Sequence, residues 1–372
     1  MMPTLLDTDP DVGLFRVLRD DATADPKTDP FLPADVIWRA YREMRRLRLI
    51  DARMVVLQRQ GRVGFYGACT GQEAVPIATG LVVDKDDWVF PALREQSVML
   101  VRGFPLTKFL AQVFGNAGDV LKGRQMPSHH SGREVNQVSW SSCIGPQIPQ
   151  AVGAAWAMKL KKHKSVAIGF CGDGATSQPD FHNAMNFAGV FKVPCVIVCQ
   201  NNHWSISVPT ERQTASKTIA VKGRAYGVPS VRVDGNDVLA VHKVLSDAVA
   251  RAREGKGPTF VEALTYRIGA HSTSDDPTRY RSEAEVEAWK KKDPLDRLRA
   301  HLIHQGLLDE QSDARLEEEL TAEISAAVTE VEAFPAVSRE TIFDDVYATL
   351  PWNLEEQRRE LAALPVAPTH GG

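Results

Sequence analysis

Residues 165–204 read SVAIGFCGDGATSQPDFHNAMNFAGVFKVPCVIVCQNNHW, and their pattern decides the fold class. Residues 166–171 are an apolar run of strand length that stops at a Gly-Asp-Gly turn. Apolar residues then recur at helical spacing, and Ser177 is the expected N-cap of that helix. A second apolar run covers residues 195–199. The stretch predicts a βαβ unit, and with it an α/β fold with a parallel sheet flanked by helices.

A polar residue follows each of the two predicted strands: Asp173 after the first and Asn202 after the second. A helix between parallel strands returns the chain to the same edge of the sheet, where open α/β sheets bind ligands. Neighbouring strands lie about 4.8 Å apart. One carboxylate and one amide oxygen at that separation suit Mg²⁺, which completes its octahedron with water and substrate phosphate.

Two other interpretations compete with this one. An ordinary βαβ unit with a glycine turn explains the strands, but it gives no reason for polar residues at both strand ends. A dinucleotide-binding fold requires G-x-G-x-x-G, and Ser177 occupies the third glycine position. We place both interpretations behind the metal-binding one.

Composition bounds the class of protein. The chain has 372 residues and a formal net charge of −3, which gives no electrostatic footprint for nucleic acid. No apolar run approaches a membrane span, and no signal or transit peptide is evident, so we expect a cytoplasmic protein without a membrane contact. Five cysteines form no C-x-x-C pair, which disfavours both disulfides and zinc.

Periodicity divides the chain into three parts. Residues 1–34 are rich in Pro and Asp and are predicted to form an extended N-terminal arm. Residues 35–332 are predicted to form the α/β domain together with C-terminal helices, and residues 333–372 a C-terminal tail that docks on another surface. A long helix is predicted over residues 34–60, and its N-terminal part carries five arginines: Arg39, Arg42, Arg45, Arg46 and Arg48. We assign them to solvent or a subunit contact rather than to nucleic acid.

Several residues outside the βαβ unit are candidates for a site. Residues 115–150 have little regular pattern, and long irregular segments inside compact domains are usually functional or disordered. Adjacent His129 and His130 point apart, so one catalytic or phosphate-facing histidine is favoured over a metal pair. Arg94 is either a surface ion-pair partner or a phosphate clamp. His271, beyond a predicted strand, suits phosphate binding and proton transfer, although a surface loop is the alternative.

These motifs carry a family resemblance from about Pro33 to the C-terminal tail. The spacing from GDG to NN resembles the diphosphate-binding signature of thiamine diphosphate enzymes. With SSCIGPQIPQAVGAA, RVDGNDV and YRIGAHSTSDDPTRYRSE, the chain resembles the α subunits of E1 components of 2-oxo acid dehydrogenase complexes. Within that family it is most similar to branched-chain 2-oxo acid (2-oxoisovalerate) dehydrogenases. Pyruvate or acetoin dehydrogenase α subunits are the nearest alternative.

The resemblance implies a thiamine diphosphate-binding fold and assigns roles at the cofactor. Mg²⁺ would be held by Asp173, Asn202 and the carbonyl of Trp204. The diphosphate would meet Gly172, Gly174, Ala175, Arg94 and His271. The aminopyrimidine would meet Ser142 and Ile144.

The remaining assignments concern the substrate and a second ion. The substrate side chain would be walled by Phe65, Leu93 and Ile144. His271 would be the main catalytic residue and His129 a weaker candidate. Ser141, Cys143 and Gln147 match a loop that holds K⁺ in some members.

Three positions depart from the family pattern. Pro146 stands where K⁺-binding members have a hydroxyl ligand. Leu93 replaces the usual Tyr before the arginine, and Gln200 replaces an Arg of animal branched-chain subunits. The last two weaken the substrate assignment rather than the cofactor assignment.

The activity that the resemblance implies is oxidative decarboxylation of branched-chain 2-oxo acids such as 3-methyl-2-oxobutanoate. The acyl group would pass to the lipoyl group of an E2 partner. In this family a β subunit supplies the carboxylic acid at the cofactor pyrimidine, so the resemblance predicts an α₂β₂ heterotetramer. An NAD(P)-binding oxidoreductase and a non-catalytic scaffold homologue are the more distant alternatives.

Overall fold

A computed structural model describes residues 13–365. The first twelve residues of the predicted arm and the last seven of the predicted tail lie outside this part. The helices are α1 (Ala34–Arg59), α2 (Ala74–Val82), α3 (Ser97–Val101), α4 (Leu106–Phe114), α5 (Gln147–Leu160), α6 (Pro179–Phe191), α7 (Val238–Arg253), α8 (Glu283–Lys290), α9 (Pro294–His304), α10 (Glu310–Glu332) and α11 (Trp352–Ala363). The strands are β1 (Trp88–Phe90), β2 (Ala167–Gly172), β3 (Cys195–Asn201), β4 (Trp204–Ser205), β5 (Val208–Pro209), β6 (Ser230–Asp234) and β7 (Thr259–Leu264).

Five strands form one sheet in the order β1-β2-β3-β7-β6, and every neighbouring pair in it is parallel. The short strands β4 and β5 pair antiparallel beside it. Helices cover both faces of the large sheet. The predicted α/β class, with a parallel sheet flanked by helices, is confirmed.

The βαβ unit of residues 165–204 is formed by β2, α6 and β3. Gly172 is the register partner of Gln200, so Asp173 and Asn202 leave the sheet at the same carboxyl edge, as predicted. The predicted capping by Ser177 is wrong. Residues Asp173–Ser177 form a 3₁₀ turn, and α6 begins only at Pro179, without a side-chain cap. Proline favours the first helical position because its missing N–H is not needed there.

Alternation along the buried strands supplies the core on both faces. In β3, Val196 and Val198 pack toward α1, α2 and α7, whereas Cys195, Ile197 and Cys199 pack toward α5 and α6. A glycine in β2 allows α5 to come close to the sheet. A Cβ on Gly169 would lie 2.8 Å from the Cβ of Ala151.

The arginines of α1 are bound within the chain. Arg42 and Arg45 donate to Glu319 and Glu317 of α10, at 2.8 and 2.5 Å, and Arg46 pairs with a third α10 carboxylate. Arg48 pairs with the buried Glu73. These four side chains stay partly exposed, so the structure adds ion pairs within the chain to the predicted contact with solvent or a subunit. The sequence could not show the pairs with α10 because that helix lies more than 250 residues further along the chain.

The described ends of the chain contact the main body. Phe15 pairs with the edge strand β6, donating to Arg232 O and accepting from Asp234 N at 2.9 Å each. The carboxylate of Asp237 accepts from the backbone of Val17 and Leu18 at 2.7 and 2.6 Å. These bonds hold the N-terminal segment against the sheet.

The C-terminal part packs less tightly. After α10, Phe334 lies so close to Gly118 that a Cβ there would clash with its ring. α11 has no buried residue. Among residues 13–365, no helix combines the length and the apolar composition needed to cross a membrane.

Candidate active site

A cavity of about 450 Å³ opens at the carboxyl edge of the parallel sheet. Every residue that the sequence assigned to a site lines this cavity, although the assigned roles remain predictions. They are Phe65, Leu93, Arg94, His129, Ser141, Ser142, Cys143, Ile144, Gln147, Gly172, Asp173, Gly174, Ala175, Asn202, Trp204 and His271. They come from segments spread over more than 200 residues, so the fold brings them together.

Three oxygen atoms of the kind that bind metal ions lie at the edge beyond β2 and β3. Asp173 is 2% exposed, and its carboxylate accepts from the hydroxyl of Thr210 at 3.2 Å. Asn202 donates its amide N–H to Gln72 at 2.9 Å, and its amide oxygen accepts from the backbone N–H of Trp204 at 3.1 Å. The carbonyl of Trp204 is the third oxygen.

The electrostatics of this edge fit a cation. Burial raises the pKa of Asp173 to about 6, and hydrogen bonding to Thr210 and the charge of Arg267 only partly offset that effect. A divalent cation would stabilise the ionised carboxylate. Within the described residues no three His, Cys, Asp or Glu side chains gather as metal ligands. The carboxylate, amide and carbonyl oxygens therefore suit a hard ion such as Mg²⁺ rather than zinc.

The glycine turn leaves space where a ligand would approach the backbone. A Cβ on Gly172 would have no protein atom within 4 Å, whereas one on Gly174 would lie 2.6 Å from the Cβ of Ser205. The first glycine therefore faces open cavity, and the second allows the segment after β3 to pack against the turn. Only Gly174 is required by packing within the chain, whereas the absence of a side chain at Gly172 leaves cavity space free for a ligand.

Two buried arginines supply positive charge next to this turn. Arg94 donates to the carbonyls of Ala68 and His271, the latter at 2.9 Å. Arg267 is 1% exposed and donates to the carbonyls of Trp204 and Ile206, at 3.3 and 2.6 Å. These hydrogen bonds go to neutral oxygens and leave the positive charges available to an anion.

His271 lies between these arginines. Its backbone N–H donates to Asp275 at 2.7 Å, and Nδ1 lies 3.5 Å from Nη1 of Arg267. Burial, followed by the charges of Arg94 and Arg267, lowers the pKa of His271 to about 4. The ring is therefore neutral at pH 7 unless an anion binds beside it.

His129 forms a second polar group on the opposite wall. Nδ1 donates to the carbonyl of Pro127 at 3.1 Å, which leaves Nε2 to accept from the hydroxyl of Ser142. The ring contacts Trp140, with centroids 3.8 Å apart and planes tilted by 32°, and burial lowers the pKa of His129. His130 instead points into the core and stacks on Phe109. The expectation that the two histidines point apart is confirmed.

Apolar side chains close the wall of the cavity nearest His129. Phe65 lies with its ring centroid 6.5 Å from that of His129, and Leu93 lies against Gly67. Ile144 is 60% exposed at the mouth. Met126 and Ile206 add to the apolar lining and were not singled out from the sequence.

The loop predicted for K⁺ retains one unpaired oxygen acceptor. Ser141 accepts from the backbone N–H of Cys143 at 3.2 Å. Gln147 is 6% exposed, and its Oε1 has no hydrogen-bond partner within the described part of the chain. A cation could use this oxygen, and the K⁺ site stays a prediction.

Sequence reasoning missed two parts of the site. Arg267 stands at the end of a predicted strand, and its charge after an apolar run was the available signal. Glu95 was not singled out from the sequence. It is 2% exposed in the cavity floor, accepts from Gln200, and burial raises its pKa to about 7.

Comparisons with known proteins agree with this geometry. A family profile described as "Dehydrogenase E1 component" matches residues 41–339. The chain is 42% identical over 324 residues to 2-oxoisovalerate dehydrogenase subunit alpha 2, mitochondrial, of Arabidopsis thaliana, covering 87% of this chain and 69% of that protein. It is 40% identical over 353 residues to the human 2-oxoisovalerate dehydrogenase subunit alpha, mitochondrial, covering 94% and 79%.

The similarity to a bacterial relative extends over a larger share of that relative's length. The chain is 42% identical over 348 residues to 3-methyl-2-oxobutanoate dehydrogenase subunit alpha of Mycobacterium tuberculosis (strain CDC 1551 / Oshkosh), covering 92% of this chain and 90% of that protein. The profile match and these identities, spread over most of the sequence, assign the chain to the dehydrogenase E1 component family.

Proposed function

We propose that this chain is the α subunit of a thiamine diphosphate- and Mg²⁺-dependent E1 that oxidatively decarboxylates 3-methyl-2-oxobutanoate and related branched-chain 2-oxo acids. The observation that carries the proposal is the cavity at the sheet edge. There a buried set of oxygen atoms and the buried Arg94 share one cavity with an apolar wall, and the buried Arg267 binds the Trp204 carbonyl beside it. The relatives are α subunits of 2-oxoisovalerate and 3-methyl-2-oxobutanoate dehydrogenases, which supports the branched-chain substrate over pyruvate or acetoin.

The cofactor end of the site would be formed by residues of three segments. Asp173, Asn202 and the carbonyl of Trp204 would hold Mg²⁺. Arg94 and His271 would bind the diphosphate, and the open space beside Gly172 would admit it. Bound thiamine diphosphate supplies the nucleophilic carbon and the electron sink for loss of CO₂.

The aminopyrimidine end would be met by Ser142 and Ile144. The hydrogen bond from Ser142 to His129 would fix the serine hydroxyl, because a histidine held by Pro127 O can only accept at Nε2. His271, neutral at pH 7 in the free site, would be able to take up a proton during acyl transfer. These roles require no movement of the βαβ unit.

The substrate side chain would lie against Phe65, Leu93 and Ile144. A branched aliphatic group fits an apolar wall, since each buried methylene contributes about 0.8 kcal/mol. His129 lies beside Phe65 and would be the nearest titratable side chain on this wall.

A partner would complete the site. The carboxylates that line the cavity are Asp173, assigned to the metal, and Glu95, which is held by Gln200 and the backbone N–H of Ala92. Neither is free to face the cofactor pyrimidine. We therefore propose an α₂β₂ heterotetramer in which a β subunit supplies that carboxylic acid, and transfer of the acyl group to the lipoyl group of E2.

The test is co-expression of this chain with a β-type E1 subunit, followed by a decarboxylation assay with 3-methyl-2-oxobutanoate and with pyruvate. We expect activity that requires thiamine diphosphate and Mg²⁺ and a higher kcat/KM for the branched substrate. Asp173→Asn should reduce kcat/KM at least 100-fold, while Asp86→Asn, at an exposed turn, should not. Preference for pyruvate would exclude the branched-chain assignment, and full activity of Asp173→Asn would exclude the metal site.

A further inference from the structure

One carboxylate oxygen joins two segments that build the site. Oε1 of Glu285, in the first turn of α8, accepts from the indole N–H of Trp204 at 2.9 Å and from the hydroxyl of Tyr266 at 2.8 Å. Trp204 belongs to residues 201–206, which we name the metal loop. Tyr266 begins residues 266–281, which we name the histidine loop. Glu285 lies outside the residues that line the cavity.

Each of the two donors is one step from a proposed ligand-binding group. The backbone of Trp204 donates to Asn202 at 3.1 Å, and its carbonyl is one of the three oxygens at the metal edge. Tyr266 immediately precedes Arg267, whose guanidinium binds that same carbonyl at 3.3 Å and approaches His271. A shift of either donor would therefore displace oxygens and charges at the cavity edge.

The position of Glu285 is itself well determined. Its backbone N–H donates to the side chain of Ser282, the N-cap of α8, at 3.3 Å. A carboxylate in the first turn of a helix is favoured by the helix dipole. Trp289, one turn further along α8, stacks on Tyr266 with ring planes 5° apart. α8 thus holds Tyr266 both by its ring and by its hydroxyl.

We propose that Glu285 is a positioning residue that holds the metal loop and the histidine loop in a fixed position relative to each other. The Trp204 carbonyl and His271 would then lie at the same metal and diphosphate site. This inference rests on the proposed function, because it concerns the same site. Residues that orient metal ligands from outside typically contribute a factor of about 10 to 100 in metal affinity or activity. Glu285 would act in that range although it contacts neither metal nor substrate.

The test uses the α₂β₂ enzyme with thiamine diphosphate and measures Mn²⁺ binding by electron paramagnetic resonance, together with kcat and the Mg²⁺ concentration for half-maximal activity. Glu285→Ala removes both hydrogen bonds and should weaken Mn²⁺ binding about tenfold or more. Glu285→Gln keeps an oxygen acceptor and should restore most of the affinity. Glu287→Ala is the matched control, since this glutamate of the same helix is 55% exposed and contacts only Lys290 in the hydrogen-bond and ion-pair network described here.

A double-mutant cycle separates positioning from general destabilisation. Tyr266→Phe removes one donor and keeps the six-membered ring. Trp204→Phe removes the other donor and replaces the indole with a smaller aromatic ring, and both variants keep the backbone carbonyl. Each should weaken Mn²⁺ binding in the wild-type background and have little further effect in Glu285→Ala, because the shared acceptor is already absent. The two single variants also test the proposal should Glu285→Ala fail to fold.

Several outcomes would overturn the inference. Mn²⁺ affinity of Glu285→Ala within twofold of the wild type, with or without a lower melting temperature, would reduce Glu285 to a structural residue. If Trp204→Phe or Tyr266→Phe weakened Mn²⁺ binding as much in the Glu285→Ala background as in the wild type, coupling through this oxygen would be excluded. If the wild-type heterotetramer bound neither Mn²⁺ nor thiamine diphosphate, the proposed function itself would fail. If the wild type bound both and only the variants behaved differently from the expectation, the inference alone would fail.

Discussion

Nη1 of Arg267 lies 3.5 Å from Nδ1 of His271, and the arginine is almost completely buried. A neutral imidazole can accept a hydrogen bond from a guanidinium N–H, but a protonated one would be repelled. Burial has the largest effect on the histidine, and Arg94 and Arg267 add to it, so its pKa falls to about 4. The site therefore holds positive charge on arginine and keeps the histidine free to accept a proton.

Tyr280 links this pair to the loop that carries it. Its hydroxyl accepts from Arg267 at 2.8 Å and donates to Asp275 at 2.6 Å, while the same carboxylate oxygen of Asp275 accepts from the backbone of His271. Tyr280→Phe removes two hydrogen bonds, which together contribute about 1–3 kcal/mol. We expect amide hydrogen exchange in residues 269–280 to accelerate about tenfold or more.

Hydrogen exchange with mass spectrometry measures this directly, and activity should fall in parallel. Tyr347→Phe, at a tyrosine that is 58% exposed, is the matched control. Unchanged protection of residues 269–280 in Tyr280→Phe would show that the hydroxyl does not hold the loop.

Alanine substitutions at the two glycines of the turn should have opposite effects on stability and on cofactor binding. Gly174→Ala would push a methyl group against Ser205 and should destabilise the fold by about 1–3 kcal/mol, the usual cost of overpacking. Ser205→Gly in the same chain should restore part of the loss. Gly172→Ala places its methyl in open cavity and should leave the melting temperature unchanged while weakening thiamine diphosphate binding.

Thermal unfolding without cofactor and calorimetric titration with thiamine diphosphate separate these effects. The interpretation fails for Gly172 if the alanine variant binds the cofactor with wild-type affinity. It fails for Gly174 if the alanine variant unfolds at the wild-type temperature.

Leu93 should influence which 2-oxo acid is preferred. Leu93→Ala enlarges the apolar pocket, which should favour the longer substrate 4-methyl-2-oxopentanoate over 3-methyl-2-oxobutanoate. The ratio of their kcat/KM values should rise about tenfold, since one methylene in an apolar pocket is worth about 1–3 kcal/mol. Steady-state kinetics with both substrates measure the ratio. Leu307→Ala, far along the chain and 40% exposed, should not change it. A constant ratio in Leu93→Ala would remove this residue from the substrate wall.

His130 should make the stability of the chain dependent on pH. It is 1% exposed, its ring nitrogens have no hydrogen-bond partner among the described residues, and burial followed by the charge of His129 lowers its pKa to about 3. Between pH 6.5 and 3 the unfolded chain binds the additional proton, so the free energy of unfolding falls as the pH falls. Between pH 7 and 5 this loss amounts to about 2 kcal/mol.

His130→Phe preserves the stacking position on Phe109 and removes the titration. Urea unfolding at pH 7 and pH 5 should show a difference between the two pH values that is smaller in the variant by about 2 kcal/mol. His304→Phe, at an exposed position of α9, should keep the wild-type difference. An equal pH effect in His130→Phe and the wild type would contradict the prediction.

Local sequence was sufficient for the frame of the site. The apolar run before the Gly-Asp-Gly turn and the one after Pro194 predicted β2, α6 and β3 to within a few residues. This was possible because the spacing of apolar residues along the sequence reflects which side chains are buried. The capping of α6 was missed because Ser177 and Pro179 offer competing start signals, and the proline determined the start.

The sequence by itself determined which polar residues leave the sheet at its carboxyl edge, since the parallel βαβ connection places Asp173 and Asn202 there whatever else the chain does. Only the tertiary structure decided which distant residues meet them. Arg267 and Glu285 reach the metal loop from more than 60 residues away, and Glu95 meets Gln200 across 105. Burial, which is a property of the assembled fold, then sets the charge of Glu95, Asp173 and His271.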